Sequence, residues 1–155
     1  MNREASILYA KQYVENLLSF YGINTEVYAT AEGDMIELSV PASYLSSLLI
    51  GKNGATLNSL QYLVRATLKL KNADLTRVNL DVADYKKRRN DSLAKQAEEW
   101  AKQVIETGET MALKPMNPAD RYTIHRALID YGQIDTASEG EGKERHIVLR
   151  LKVED

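Results

Sequence analysis

The sequence predicts an α+β protein made of two units, residues 1–83 and 84–155. Helical periodicity and strand-like alternation follow one another along the chain, so that helices and strands are mixed inside each unit. A hydrophobic share of 44% supplies enough apolar side chains for a folded core, which distinguishes the chain from disordered proteins. The second unit follows the first with almost no linker, and we expect two small domains in series.

The first unit begins with an amphipathic helix and continues into a hairpin. Apolar residues recur at helical spacing as far as Gly22, a residue type that is typical of a helix end. Glu32 and Gly33 supply turn chemistry between two strand-like segments, and Pro41 opens the helix that ends at Gly51. The predicted elements are a helix over 3–20, strands over 24–30 and 34–40, helices over 42–50 and 55–70, and a strand over 76–82.

The second unit is predicted to contain two helices and a small three-stranded sheet. Its first helix is long and ends before Gly108. Its second helix has a strong start, with Asn117 as the cap, Pro118 in the first turn and Asp120 at the positive end of the helix dipole. The predicted elements are helices over 84–106 and 118–131 and strands over 109–114, 133–137 and 145–153.

The most informative short segment is Gly51-Lys52-Asn53-Gly54. Its two glycines allow a tight turn and the close approach of a phosphate, since neither carries a Cβ. Lys52 adds a positive charge between them. The amides that open the following helix are unpaired and lie at the positive end of its dipole, where an anion is favoured. The sequence therefore predicts a phosphate-binding turn.

Charge is distributed unevenly in a chain whose net charge is only −2. Residues 41–90 contain nine Lys or Arg against three acids, a net charge of +6, so that the remaining residues carry −8. A local basic stripe on an acidic protein is typical of nucleic-acid binding. Its densest part is the run Lys86-Lys87-Arg88-Arg89, for which contact with nucleic acid and a merely solvated helix start are both open.

Composition excludes several kinds of site. The absence of cysteine removes disulfides and thiolate zinc sites and is compatible with a reducing compartment. Two histidines are too few for a typical histidine-based metal site. No apolar run is long enough to span a membrane, and the first residues lack the apolar core of a signal peptide. We therefore expect a cytoplasmic protein with no metal, no cofactor and no membrane insertion.

A second candidate contact is the pair Arg121 and His125, which lie four residues apart on the helix predicted over 118–131. An arginine can donate two hydrogen bonds to one phosphate, and a histidine can donate a hydrogen bond or stack on a base. Catalysis is not expected, because His125 has no visible nucleophile or carboxylate partner. The nucleotide-binding P-loop pattern is also absent, since Asn follows Lys52 where that pattern requires Ser or Thr.

These motifs carry a resemblance to known domains. Residues 3–83 resemble a prokaryotic-type (type II) KH domain, with a helix, two strands, a helix, a Gly-x-x-Gly loop, a helix and a strand in order. Such loops clamp about four nucleotides of a single strand. Residues 84–155 resemble an R3H domain, named for its Arg-x-x-x-His signature. The combination is similar to the bacterial Jag (SpoIIIJ-associated) family, whose members commonly carry a further N-terminal domain that has no counterpart in this sequence.

The resemblance implies an RNA-binding protein, a post-transcriptional regulator linked to cell elongation and division. Single-stranded DNA is an alternative ligand. Gly51–Gly54, Arg121 and His125 are the residues carried over as contacts. Splayed bases are expected to lie on apolar side chains beside the loop, namely Leu49, Ile50 and Leu57. Secondary contacts are expected from the neighbouring basic side chains Arg65, Lys69, Lys71, Lys86, Lys87, Arg88 and Arg89.

A protein-interaction module is the alternative from a different class of function. KH surfaces also form dimer contacts, and the resemblance implies pairing with a small protein that has a single KH domain. The predicted partner is then that KH protein or a second copy of this chain, and RNA binding is secondary or absent.

Overall fold

The structure is a computed structural model that describes residues 1–153. The chain divides into two compact units, Met1–Lys86 and a second unit that begins at Lys87. Its mixture of helices and strands confirms the predicted α+β class. The elements are α1 (Arg3–Phe20), β1 (Tyr28–Glu32), β2 (Met35–Val40), α2 (Ser46–Ile50), α3 (Ala55–Leu70), β3 (Arg77–Val82), α4 (Tyr85–Thr107), β4 (Met111–Ala112), α5 (Pro118–Leu128), β5 (Ile134–Glu139) and β6 (His146–Leu151).

The sheet of the first unit has the strand order β1-β2-β3. β1 and β2 are antiparallel across a tight turn, with Glu32 opposite Met35. β2 and β3 are parallel, with Met35 beside Arg77 and Val40 beside Val82. A parallel pair requires a crossover connection, which α2 and α3 provide. The predicted order of helices and strands is confirmed, and it places the Gly51–Gly54 loop inside this crossover.

The alternation of side chains along β2 and β3 determines which residues form the core of the first unit. Every second residue of β2 and β3 is buried, because side chains of a strand point alternately to opposite faces of the sheet. Helices α1 and α3 cover that face with one apolar stripe each. The core includes Val14, Leu18, Ile36, Leu38, Val40, Val64, Leu68, Val78, Leu80 and Val82.

Two predicted starts in the first unit are wrong. The first strand begins at Tyr28 rather than at residue 24, because the segment before it is tied to α1 instead of to a strand. There the Val27 N–H donates to the Glu15 carboxylate at 3.3 Å. The short helix begins at Ser46 rather than at residue 42, because the Ser46 hydroxyl accepts from the Ser43 N–H at 2.8 Å and closes a turn.

The second unit contains the predicted three-stranded sheet, in the order β4-β6-β5 with β6 antiparallel to both neighbours. Small buried residues of α4, Ala97 and Ala101, lie in the same core as Ile124 and Leu128 of α5. α5 ends at Leu128, earlier than predicted. β4 has only two residues, and Pro115, which lacks an N–H, interrupts the strand pattern soon after it.

Within residues 1–153, no helix combines the length and the apolar character that crossing a bilayer requires.

Candidate nucleic-acid interface

Glycine is needed at both ends of the Gly51–Gly54 loop, because the backbone there has positive φ and a side chain would clash with its neighbours. Gly51 has φ +72° and Gly54 has φ +79°, a region that glycine adopts without strain. A Cβ on Gly51 would lie 2.3 Å from the Thr56 hydroxyl oxygen, and one on Gly54 would lie 2.9 Å from Cε1 of Tyr85. The loop is therefore specified by packing as well as by turn geometry.

Lys52 and Asn53 project from this loop into solvent. Asn53 adopts φ +53°, a conformation that asparagine tolerates better than most residues. α3 starts directly after the loop with Gly54 as its N-cap, and no side chain caps its first turn. The N–H groups of Gly54 and Ala55 donate inside the loop, to the Gly51 and Lys52 carbonyl oxygens. The positive end of the helix dipole and the Lys52 ammonium lie together, which suits a phosphate.

The apolar side chains expected to receive bases are not accessible. Leu49 and Leu57 are each 1% exposed and Ile50 is 8% exposed, all within the core of the first unit. That expectation is wrong, because these side chains support the loop from inside. The exposed apolar side chains near the loop in sequence instead include Leu48 at 53% and Tyr62 at 69%. Sequence reasoning missed both, although each lies off the apolar stripe of its helix.

Two of the basic residues predicted as secondary contacts are engaged along the outer edge of β3. Arg65 donates from Nε and Nη2 to the Val78 carbonyl oxygen, at 3.0 and 2.7 Å. The side-chain oxygen of Gln61 accepts from the Leu80 N–H at 2.9 Å and from Lys86 Nζ at 2.7 Å. Side chains of α3 thus satisfy backbone groups that the edge strand leaves unpaired, and Lys86 of α4 donates to one of those side chains.

Lys86 is partly buried in this cluster. Its ammonium also donates to the Asn79 side-chain oxygen. Burial lowers the pKa of Lys86 below its ordinary value of 10.5; Asp81 and Glu37 oppose this shift, and Arg65 adds to it. Lys86 therefore serves the first unit as an internal hydrogen-bond donor, whatever else it contacts.

The rest of the basic run belongs to the second unit. Lys87 and Arg88 are exposed. Arg89 pairs with Asp120 at 3.2 Å, and the Asp120 side chain is only 7% exposed. Within residues 1–153, the Arg89 Nε atom is buried with no hydrogen-bond partner. The run is thus divided, with Lys86 used in one unit and Arg89 in the other.

Arg121 and His125 lie on the flank of α5, as the four-residue spacing predicts. Asn117 caps this helix by accepting from the Asp120 N–H at 2.8 Å. The half-buried Arg121 donates to the Met116 carbonyl oxygen at 2.7 Å. The exposed His125 uses Nδ1 in a hydrogen bond with the Thr136 hydroxyl of β5. These partners orient both side chains.

Among residues 1–153, no group of His, Asp and Glu side chains is arranged to hold a metal ion.

Comparison with known proteins identifies the second unit. Residues 91–151 match the R3H domain family. The chain is 42% identical to the RNA-binding protein KhpB of Clostridium symbiosum, over 69% of this chain and 48% of that protein. It is 38% identical to KhpB of Bacillus subtilis (strain 168), over 69% of this chain and 52% of that protein. Identity to KhpB of Streptococcus pneumoniae (strain D39) is 30%, over 65% of this chain and 31% of that protein.

The chain spans about half the length of the first two of these curated relatives. The matched family covers α5, with Arg121 and His125, and the three strands of the second unit. The chain therefore contains an R3H domain and is a homologue of the KhpB proteins, as its resemblance to the Jag family predicts.

Proposed function

We propose that this chain binds single-stranded RNA through two sites and catalyses no reaction. The first site is the Gly51–Gly54 loop of a KH domain over residues 1–83. The second is the Arg121 and His125 flank of the R3H domain, which we place at residues 84–155. Support comes from the relatives, which are named RNA-binding proteins. The proposal includes no metal or cofactor and places the protein with its RNA in the cytoplasm.

The geometry of the loop carries this proposal. Lys52 and Asn53 are exposed between two glycines, and the uncapped first turn of α3 follows at once. Backbone N–H groups and one ammonium can therefore contact a sugar-phosphate backbone without reading its sequence. Binding led by phosphate contacts is strongly salt-dependent and only loosely sequence-selective.

The test is the affinity for a short single-stranded RNA at two salt concentrations. The chain offers a matched control for a Lys52→Asp, Asn53→Asp variant, because Lys71-Asn72 is the same dipeptide at the other end of α3. Both residues there are exposed, and Asn72 also has a positive φ, +51°. The double change Lys71→Asp, Asn72→Asp therefore adds equal charge and equal backbone perturbation about 24 Å away along the helix.

We expect the loop variant to lose about tenfold or more in affinity, and its salt dependence to flatten by about one unit of slope. Of the expected contacts, the control removes only Lys71, a secondary one, and it should lose far less. Equal losses in the two variants would show that net charge matters and that the loop is not the site. Undetectable binding by the wild type would overturn RNA recognition by this chain.

Protein pairing is a second candidate, favoured by one observation. β1 lies at the edge of its sheet, with β2 on one side only, and Tyr28 on it is 61% exposed. An open edge of this kind can pair with a strand of another KH protein or of a second copy. Sedimentation of the chain alone and with RNA tests this. A monomer at all concentrations would exclude the homodimer.

We extend the proposal to post-transcriptional regulation linked to cell elongation and division, which the resemblance to the Jag family implies. Cells that produce only the loop variant should show the altered length of cells that lack the protein. Normal length in those cells would separate this role from loop-mediated RNA binding.

A further inference from the structure

Helix α5 exposes an aromatic ring between its two flanks. Tyr122 is 65% exposed, although it lies between the half-buried Arg121 and Thr123. At about 100° per residue, Tyr122, Arg126 and Ile129 form the outermost ridge of the helix. Ile124 and Leu128 point the opposite way, into the core. Tyr122 thus contributes little to the packing of the second unit.

One flank of this ridge bears Arg121 and His125, which are held by Met116 and Thr136 as described above. The other flank contacts the first turns of α4. There the Thr123 hydroxyl oxygen lies 3.1 Å from the Asn90 side-chain oxygen and 3.0 Å from the Ala119 carbonyl oxygen, within hydrogen-bond reach of both. The Arg89–Asp120 ion pair lies on the same side of α5.

These two contacts hold this part of α4 next to α5. The exposed Lys87 lies three residues before Asn90, on a neighbouring part of the α4 surface. All of these residues belong to the second unit. Residues 87–90 directly precede the segment that matches the R3H family.

The Tyr122 ring thus has positively charged side chains on both sides. Arg121 and His125 lie on one side, Lys87 lies on the other, and Arg126 lies four residues along the ridge. Within α5 itself the only acid, Asp120, is paired with Arg89, and exposed acids flank this region in sequence at Asp91, Asp130 and Asp135. A polyanion that crosses α5 therefore meets mainly positive charge, and the surface fits a single-stranded nucleic acid better than an acidic or neutral protein.

We propose that Tyr122 is a stacking platform for a nucleobase, in a single-strand path that crosses α5 from Lys87 to Arg121 and His125. The inference rests on the proposed function and deepens it, because it adds a base contact to sites that contact phosphate. Every base has a flat face, so stacking on Tyr122 adds affinity without selecting a sequence. Phosphates on either side of the stacked base contact the flanking cations.

The test compares Tyr122→Leu, Tyr122→Phe and Tyr28→Leu in the full chain. Tyr28 is a matched control, because it is similarly exposed at 61% but lies in the first unit. The probes are a short single-stranded RNA and an abasic ribose-phosphate oligomer of the same length. We expect Tyr122→Leu to weaken RNA binding about 5- to 100-fold and Tyr122→Phe to keep wild-type affinity within about twofold. On the abasic oligomer, wild type and Tyr122→Leu should bind alike.

Each outcome decides the matter. If Tyr122→Leu binds RNA as wild type does while the Lys52→Asp, Asn53→Asp variant does not, the stacking platform is refuted and the proposed function stands. If Tyr122→Leu weakens binding to both probes equally, the ring acts on the fold or on phosphate contact, and stacking is again refuted. A wild-type chain that binds no RNA overturns both proposals together. Emission from Trp100, in the second unit, checks that each Tyr122 variant is folded.

Discussion

The ring of Tyr85 occupies the space that a side chain on Gly54 would need, since a Cβ there would lie 2.9 Å from Cε1 of Tyr85. The first residue of α4 is thus packed against the last residue of the glycine loop. A substitution at either position therefore acts on the loop through contact, in addition to any effect on turn geometry.

Gly54→Ala should destabilise the first unit more than Gly22→Ala does. Both positions have nearly the same φ, +79° and +80°, so both variants carry left-handed strain of about 1–2 kcal/mol. A Cβ at Gly22 meets nothing within 4 Å, whereas one at Gly54 must displace Tyr85. We expect an additional loss of about 1 kcal/mol or more in the free energy of unfolding, measured in urea by far-UV circular dichroism. Equal losses would show that the ring moves without cost.

Arg65→Met should lower the free energy of unfolding by about 1–3 kcal/mol. The change removes both donors to the Val78 carbonyl oxygen and leaves that edge acceptor without its partner. Arg77→Met is the control, because both side chains of the Arg77–Asp34 pair are exposed and the loss of such a pair changes the free energy of unfolding little. The same urea experiment applies. A smaller loss in Arg65→Met than in Arg77→Met would contradict the edge-capping role.

Lys86 should make the stability of the first unit depend on pH. Burial lowers the pKa of Lys86 in the folded state, so between that value and the ordinary 10.5 the unfolded chain binds more protons. Stability relative to Lys86→Met must therefore rise as pH increases through this window. Urea unfolding of both proteins at several pH values up to 10.5 measures the difference in their free energies of unfolding. The titration of all other groups is common to both proteins and cancels in this difference. A difference that falls with pH would contradict the prediction.

Asp120→Ala should destabilise the second unit by about 1–3 kcal/mol. The carboxylate is buried, and its loss leaves the Arg89 guanidinium without its counterion. The expected destabilisation is smaller than is usual for breaking a buried ion pair, because the Arg89 side chain is 29% exposed. The control is Glu139→Ala, which breaks the exposed Arg150–Glu139 pair and should cost about 0–1 kcal/mol. Trp100 fluorescence during urea unfolding reports on this unit, and equal losses would refute a special role for Asp120.

Local patterns predicted much of the candidate site. Gly51–Gly54 stands out as a candidate because glycines, a cation and a following helix at adjacent positions are the features expected of a phosphate-binding turn. Arg121 and His125 can be recognised because a four-residue spacing places two side chains on one flank of a helix. The roles of Arg65 and Lys86 cannot be read in this way. Their partners Val78 and Gln61 lie 13 and 25 residues away in the chain.

By itself, the sequence determined the α+β class, the order of the elements, the glycine loop and the Arg121–His125 pair, because all of these depend on neighbouring residues. Only the tertiary structure decided which cations are exposed and which are engaged, and which apolar side chains near the loop face solvent. Leu48 and Leu49 are adjacent and chemically identical, yet one is 53% exposed and the other 1%. The difference arises because packing buries one face of a helix and leaves the next residue, about 100° around the axis, in water.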